Sequence, residues 1–234
     1  MTGMAKRPSA QLPLTLPHRP SSAREDLIVA PANALAAALI DAWPDWPGPY
    51  AVLVGPEGSG KTHLARVYAH AASAHVRQAA SLRSMGDPQP YGAHFVIEDV
   101  RPGAAPEREL FHLLNHVRAV HGSCLMTARV HPRAWNVALP DLASRLRTAQ
   151  VAELGPPDDA QLSQVLAKLF SDRQMNVDPA LIGYMVARME RSLGAARRLV
   201  AALDREALAR KSPVTRALVA DVLARGAGGR EGGT

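Results

Sequence analysis

Residues 55–62 read GPEGSGKT, the spacing GxxxxGK[ST], and each residue type in it has a chemical use. Gly55, Gly58 and Gly60 allow a tight turn that aims backbone N–H groups at an anion. Pro56, Glu57 and Ser59 complete the loop. Lys61 can reach β- and γ-phosphates, and Thr62 can offer its hydroxyl to Mg2+. A helix opening at Lys61 adds positive potential at the same point. A second set stands in HFVIEDV, where an apolar run ends in Glu98 and Asp99. Adjacent carboxylates suit one acid that holds a metal and one that orients water. In TAR (127–129), Thr127 can present a hydroxyl to a terminal phosphate, while Arg129 either binds phosphate or caps a strand end. On spacing alone Arg145 and Arg147 read as surface arginines. Arg191 opens a helix from which a guanidinium can swing over a crevice, and Arg197 and Arg198 further along read as solvated.

These residues need elements to hold them. The apolar runs YAVLVG (50–55), AHFVIEDV (93–100), SCLMTA (123–128) and AQVAEL (149–154) read as strands, and HVRQAA (75–80) as a short one. Helical spacing predicts helices over 31–43, 61–73, 106–121 and 139–146. Strand and helix alternate, which predicts an α/β fold with a parallel sheet flanked by helices. After GPPDD (155–159) only helical periods follow, at about 160–172, 179–190, 192–210 and 214–224. They predict a small all-helical domain. The expected organisation is a flexible segment 1–24, a nucleotide-binding α/β domain 25–156, a helical lid 157–225 and a Gly-rich tail 226–234.

Composition excludes several classes. No run of 18 apolar residues is present, so no membrane span is expected. The start, MTGMAKRPSAQLPL, lacks the apolar stretch of a secretory signal. The single cysteine, Cys124, excludes an intrachain disulfide framework, suits a reducing cytosol, and sits in an apolar strand as a structural thiol would. The net charge of +6 is uneven: residues 1–180 carry 17 basic and 16 acidic side chains, and the remainder 10 and 5. That excess permits an acidic partner and equally fits a solvated helical surface. His112 and His116 stand at i,i+4 without an HExxH frame and read as helix-surface residues. Trp43, Trp46 and Trp135 lie near prolines and read as loop anchors.

Taken together, QLPLTLPHRP, the P-loop run, HFVIEDV, LPDLASRL, GPPDD and RSLGAARRLV resemble the replication-initiator (DnaA) group of AAA+ ATPases, and within it the regulators of the Hda type. The likeness runs from residue 11 to about 224. It implies a P-loop AAA+ core with a helical lid, ATP or ADP as the nucleotide (ADP in the active form) and Mg2+ held by Thr62 and Glu98. It implies Glu98 and Asp99 as Walker B acids, Thr127 in the sensor 1 segment, Arg145 as an arginine finger acting across a subunit interface, and Arg191 as the sensor 2 arginine. It further implies a cytoplasmic, nucleoid-associated protein that stimulates ATP hydrolysis by DnaA and prevents re-initiation.

The chain departs from that pattern in ways that matter. Glu98 stands where Asp is usual, Asp99 is shorter than the usual second acid, and Ala128 replaces a polar residue. Weak intrinsic turnover is therefore expected. No helix-turn-helix follows residue 224, so DNA contact is expected to be indirect or non-specific. The resemblance leaves room for self-association. A helicase-loader-like ATPase and a nucleotide-bound, non-hydrolysing adaptor are the alternative expectations. Gln11, Leu12, Leu14 and Leu16 match the peptide by which proteins dock on the DNA polymerase III sliding clamp (β subunit). Gln11 would supply amide hydrogen bonds, the leucines apolar anchors, and Pro13 a backbone with less entropy to lose.

Overall fold

The computed structural model describes residues 24, 27–84, 92–101, 103 and 106–228. The expected clamp peptide, Gln11 to Leu16, lies outside these residues.

Five parallel strands form one sheet: β1 (Tyr50–Val54), β2 (His75–Gln78), β3 (His94–Val100), β4 (Ser123–Ala128) and β5 (Gln150–Glu153), in the order β2-β3-β4-β1-β5. Every residue of β1 and β4 is buried, which is why both read as unbroken apolar runs rather than alternating ones. Strand β2, HVRQ, is mostly exposed and forms an edge, where polar side chains discourage further pairing. On one face α1 (Ala34–Asp41) and α2 (Lys61–Ala71) cover Ala51, Leu53, Val96 and Leu125. On the other, α3 (Glu107–Ala119) and α4 (Pro140–Arg147) cover Val52, Val54, Ile97 and Met126. Helices on both faces satisfy an apolar central sheet, as the strand–helix alternation predicts.

Helices α5 (Asp159–Ser171), α6 (Pro179–Val186), α7 (Leu193–Arg210) and α8 (Arg216–Gly228) follow, and they bury a core of their own around Leu166, Phe170, Met185, Leu203 and Val219. Three starts are fixed locally. Asp158, Asp178 and Ser192 each accept a hydrogen bond from a first-turn amide, at 2.7, 2.8 and 3.0 Å. Such caps contribute about 1 kcal/mol each.

The chain crosses from β1 to the β2 edge over one face, and from β4 to β5 over the other. The order reverses at β1, so the loops after β1 and β4 open a crevice at the carboxyl ends of the strands. Gly55 N–H donates to the Ala128 carbonyl at 3.2 Å, and Leu154 N–H to the Val54 carbonyl at 2.7 Å, which locks the three strand ends together.

The opposite end of the sheet is held by Ser123. Its hydroxyl meets Trp43 Nε1 at 3.1 Å, Tyr68 OH at 2.7 Å and His94 Nδ1 at 2.8 Å. The assignment that gives each of these buried protons an acceptor has Trp43 and Tyr68 donating to Ser123, and Ser123 donating to a neutral His94. Burial also lowers the His94 pKa below its ordinary value. The unfolded chain therefore binds a proton first as pH falls, and the contribution of His94, complete above its unfolded value, declines as pH drops through about 6.5. Tm should fall between pH 7.5 and 5.5, and His94→Asn should flatten that fall. Parallel Tm–pH profiles for the two proteins would remove His94 from the explanation.

Trp43 and Trp46 also meet the Tyr68 ring, edge-on at 6.0 Å and stacked at 5.2 Å, so they do anchor the 44–49 loop. Cys124 is fully buried, and burial pushes its thiol up to about 12, as a structural thiol should be. Among the described residues no helix is long and apolar enough to cross a membrane.

Candidate nucleotide site

The loop between β1 and α2 is shaped by its glycines. A Cβ on Gly55 would stand 2.5 Å from the Leu154 carbonyl oxygen, so no larger residue fits where the loop leaves the sheet. Gly58 has φ +76, and a Cβ there would meet Ser192 Cβ at 2.4 Å. Gly60 has φ +105 and opens α2 without a side-chain cap, leaving the helix N-terminus to interact with an anion. Ser59 Oγ is buried inside the turn without a hydrogen-bond partner. Lys61 Nζ donates to the carbonyls of Gly55 and Pro56, both at 2.7 Å. Burial, then the neighbouring Arg129, lower its pKa, against the opposing pull of Asp99 and Glu57.

The two acids at the end of β3 are separated by a bulge. The register against β4 shifts between Ile97 and Val100, and Asp99 takes φ +58. Its N–H donates to Thr127 Oγ1 at 3.0 Å, so the Thr127 hydroxyl is engaged in holding that bulge. Glu98 accepts from Gln78 Nε2 at 2.9 Å through one oxygen, while the other, Oε1, is buried with no partner. Asp99 accepts from Arg101 Nε at 2.9 Å and lies 3.9 Å from Arg129. The Arg101 bond, joined by the charges of Arg101, Arg129 and Lys61, holds its carboxyl below the usual range. Asp99 is thus the acid that shares a field with Lys61. Sequence alone gives no sign of the bulge that separates the two.

The C-terminal helices meet the P-loop. Leu193 N–H donates to the Gly58 carbonyl at 2.9 Å, so α7 begins against the P-loop. A cavity of about 320 Å³ lies between the sheet domain and the C-terminal helices, with Asn33, Gly60, Leu64, Gln161, Leu193 and Arg197 among its walls. Arg191, the arginine expected over the crevice, does not line it. It precedes the α7 cap Ser192 and pairs with Asp159 at 2.8 Å, both side chains being exposed. Arg173, Arg197 and Arg198 do line the cavity; Arg173 pairs with Asp204 and Arg198 with Glu190, while Arg197 shares a face with the buried residues Leu193, Ala196 and Val200. Burial, and then Arg66, lower its pKa, as befits a cation turned inward. The buried i, i+3, i+4 spacing from Leu193 was the signal that could have found it.

Arg145 lies elsewhere. It projects from the last turn of α4 over the Phe111 ring at 5.1 Å, and Nη1 donates to Tyr50 OH at 3.5 Å. Its Nε is buried without a partner. Tyr50 begins β1 and the P-loop leaves its end, so Arg145 and the P-loop stand at opposite ends of that strand.

The site has the parts to hold a nucleotide: a glycine cradle that a Cβ would fill, an unpaired buried hydroxyl, a lysine and a part-apolar cavity beside them. Among the described residues no three His, Cys, Asp or Glu side chains gather to form a metal cage. A divalent ion here would rest on Thr62, one carboxylate and phosphate oxygens, the usual manner for Mg2+.

With this geometry in view, the chain's similarities can be stated. No family model matches it. An uncharacterized protein of Haemophilus influenzae is 24% identical over 190 residues, covering 75% of this chain and 81% of that one. Domain III of the Thermotoga maritima replication initiation protein DnaA superposes with a TM-score of 0.74 at 19% identity, covering 90% of this chain and 98% of that one. AMPPCP-bound DnaA from Aquifex aeolicus gives 0.63 at 17%, covering 82% and 70%. The Thermotoga maritima RuvB Holliday junction branch migration motor gives 0.62 at 19%, covering 81% and 66%. The fold is therefore that of DnaA domain III: a parallel five-stranded core flanked by helices, here followed by further helices.

Proposed function

We propose that this chain is a nucleotide-binding AAA+ regulator of replication initiation, of the Hda type. The observation that carries the nucleotide half is the P-loop cradle itself, with its unpaired Ser59 hydroxyl and with Lys61 in the field of Asp99, next to a cavity that Gly60 and Arg197 help to line, in a fold shared with DnaA domain III. ATP or ADP would lie with its phosphates on Gly55–Thr62 and its base toward Asn33, Leu64 and Arg197. Thr62 and an acid of the Glu98–Asp99 pair would hold Mg2+, which when bound neutralises phosphate charge. Arg197 takes the lid role that the family resemblance gives to Arg191.

The regulator would dock on the sliding clamp through Gln11, Leu12, Leu14 and Leu16 and present its AAA+ face to DnaA. Arg145 would then supply charge to the initiator's nucleotide, speeding its hydrolysis and preventing re-initiation. The chain's own turnover would be slow. Asp99 is already paired with Arg101, and Glu98 gives one oxygen to Gln78, so with the remaining Glu98 oxygen on the metal no second, unpaired carboxylate is left to orient water. The same pairings favour the non-hydrolysing adaptor as the second reading, in which nucleotide sets shape alone.

Clamp docking has a direct test. Gln11→Ala combined with Leu14→Ala should abolish binding to the clamp while ATP and ADP binding persist. Clamp affinity equal to that of the unaltered chain would remove residues 11–16 from the interface. Retention of the replicative helicase instead of the clamp would favour a helicase-loader.

A further inference from the structure

Around the P-loop, three cations and two carboxylates form a connected chain. Arg129 Nη2 stands 2.8 Å from Glu57 and its Nε 3.9 Å from Asp99, Asp99 pairs in turn with Arg101, and Lys61 lies in the same field. Glu57 belongs to the P-loop itself, so this carboxylate sits on the loop that must receive an anion. Arg129 is well placed to offset it. It follows Ala128, whose carbonyl holds the Gly55 amide, so its backbone is fixed against the first residue of the P-loop.

The Glu57–Arg129 pair adds little to stability. Arg129 is half exposed and Glu57 is 78% exposed, and exposed pairs contribute about 0–1 kcal/mol. A contact so weakly held is easily exchanged. A terminal phosphate offers more charge than a carboxylate and three acceptor oxygens, which an arginine fork engages in pairs. Thr127, whose hydroxyl accepts from the Asp99 amide, has one neutral O–H left to donate, a weaker phosphate contact than a charged arginine fork.

We propose that Arg129, latched to the P-loop's own Glu57, is the residue that reads the γ-phosphate and so sets how strongly the site distinguishes a nucleoside triphosphate from a diphosphate. This rests on the nucleotide-binding reading above. With a diphosphate bound, Arg129 stays on Glu57. With a triphosphate, it exchanges Glu57 for the γ-phosphate, and the freed carboxylate turns to solvent. Glu57 therefore opposes triphosphate binding in two ways: it holds the arginine back, and it repels the phosphate.

The test is calorimetric titration of the full chain with ATP and, separately, ADP, both with Mg2+. Arg129→Ala should weaken ATP roughly tenfold, the loss of one charge-assisted contact, and leave ADP within about twofold. Glu57→Gln should strengthen ATP relative to ADP, and that gain should shrink when Arg129→Ala is added. Arg129→Lys, which keeps the charge without the fork, should recover only part of the ATP affinity. An unchanged ATP-to-ADP ratio in Arg129→Ala, with both nucleotides still bound, overturns the proposal and leaves the nucleotide site standing. Failure of the unaltered chain to bind either nucleotide overturns both.

Discussion

Lys61→Ala will remove nucleotide binding while leaving the protein folded. Hydrogen bonds to charged groups contribute about 1.5–3 kcal/mol, and a lysine bridging two phosphates makes more than one, so roughly a hundredfold loss of affinity is expected. A thermal shift would report it clearly. A ligand at 100 times Kd stabilises the fold by about 2.7 kcal/mol, and at the same concentration a hundredfold weaker site gains only about 0.4 kcal/mol. The fold itself should tolerate the change. Lys61 is bound only to the carbonyls of Gly55 and Pro56, and burial disfavours its charge, so its removal relieves a desolvation cost while it forfeits two hydrogen bonds. Binding within twofold of the unaltered chain would contradict the P-loop assignment.

Arg145→Ala should abolish stimulation of the initiator's ATPase yet retain nucleotide and clamp binding. Arginine fingers contribute about 10³–10⁵ in rate, so stimulation should fall to background. The structural cost is small by comparison. The contact with Phe111 is worth about 0.5–2 kcal/mol, the bond to Tyr50 is long, and Nε has no partner to lose. A Tm drop of a few degrees would follow for a chain of this size. Its resting place on Phe111 and Tyr50 keeps the guanidinium ordered and only partly satisfied, a conformer that a stronger anionic acceptor can displace. Arg145→Lys should not restore the rate, because an ammonium lacks the planar fork. Full stimulation by the alanine variant would remove Arg145 from the reaction.

Much of this site is legible from the residues. GPEGSGKT announces itself because the spacing, the preceding apolar run and the following helical period agree. Strand β4 emerges with the bounds expected of it, Ser123–Ala128, because every residue is buried and none breaks the run. Ends governed by local chemistry shift by a few residues: the expected helix over 31–43 is α1 at Ala34–Asp41, and that over 179–190 ends at Val186. Three features depend on tertiary contact and leave little local trace. Strand order arises from crossovers that no segment encodes by itself. The bulge at Glu98–Asp99 turns two apparently equivalent acids in different directions, one to Gln78 and one to Arg101. Which side chain at the start of α7 faces the cavity depends on where that helix begins. Ser192 caps the helix, so Arg191 falls outside it and Arg197 takes the inward face. The Glu57–Arg129 pair joins residues 72 positions apart and becomes visible only when β1 and β4 lie side by side.

The most direct measurement is a reconstitution in which ATP-bound initiator, DNA-loaded clamp and this protein with nucleotide are combined, and ATP hydrolysis by the initiator is followed as each component is left out. The expected result is rapid hydrolysis only when all three are present, falling to the initiator's own rate without this protein or without the clamp. Hydrolysis at the initiator's own rate in the complete mixture, with every component shown to be folded and nucleotide-loaded, would contradict the regulatory function proposed for this chain.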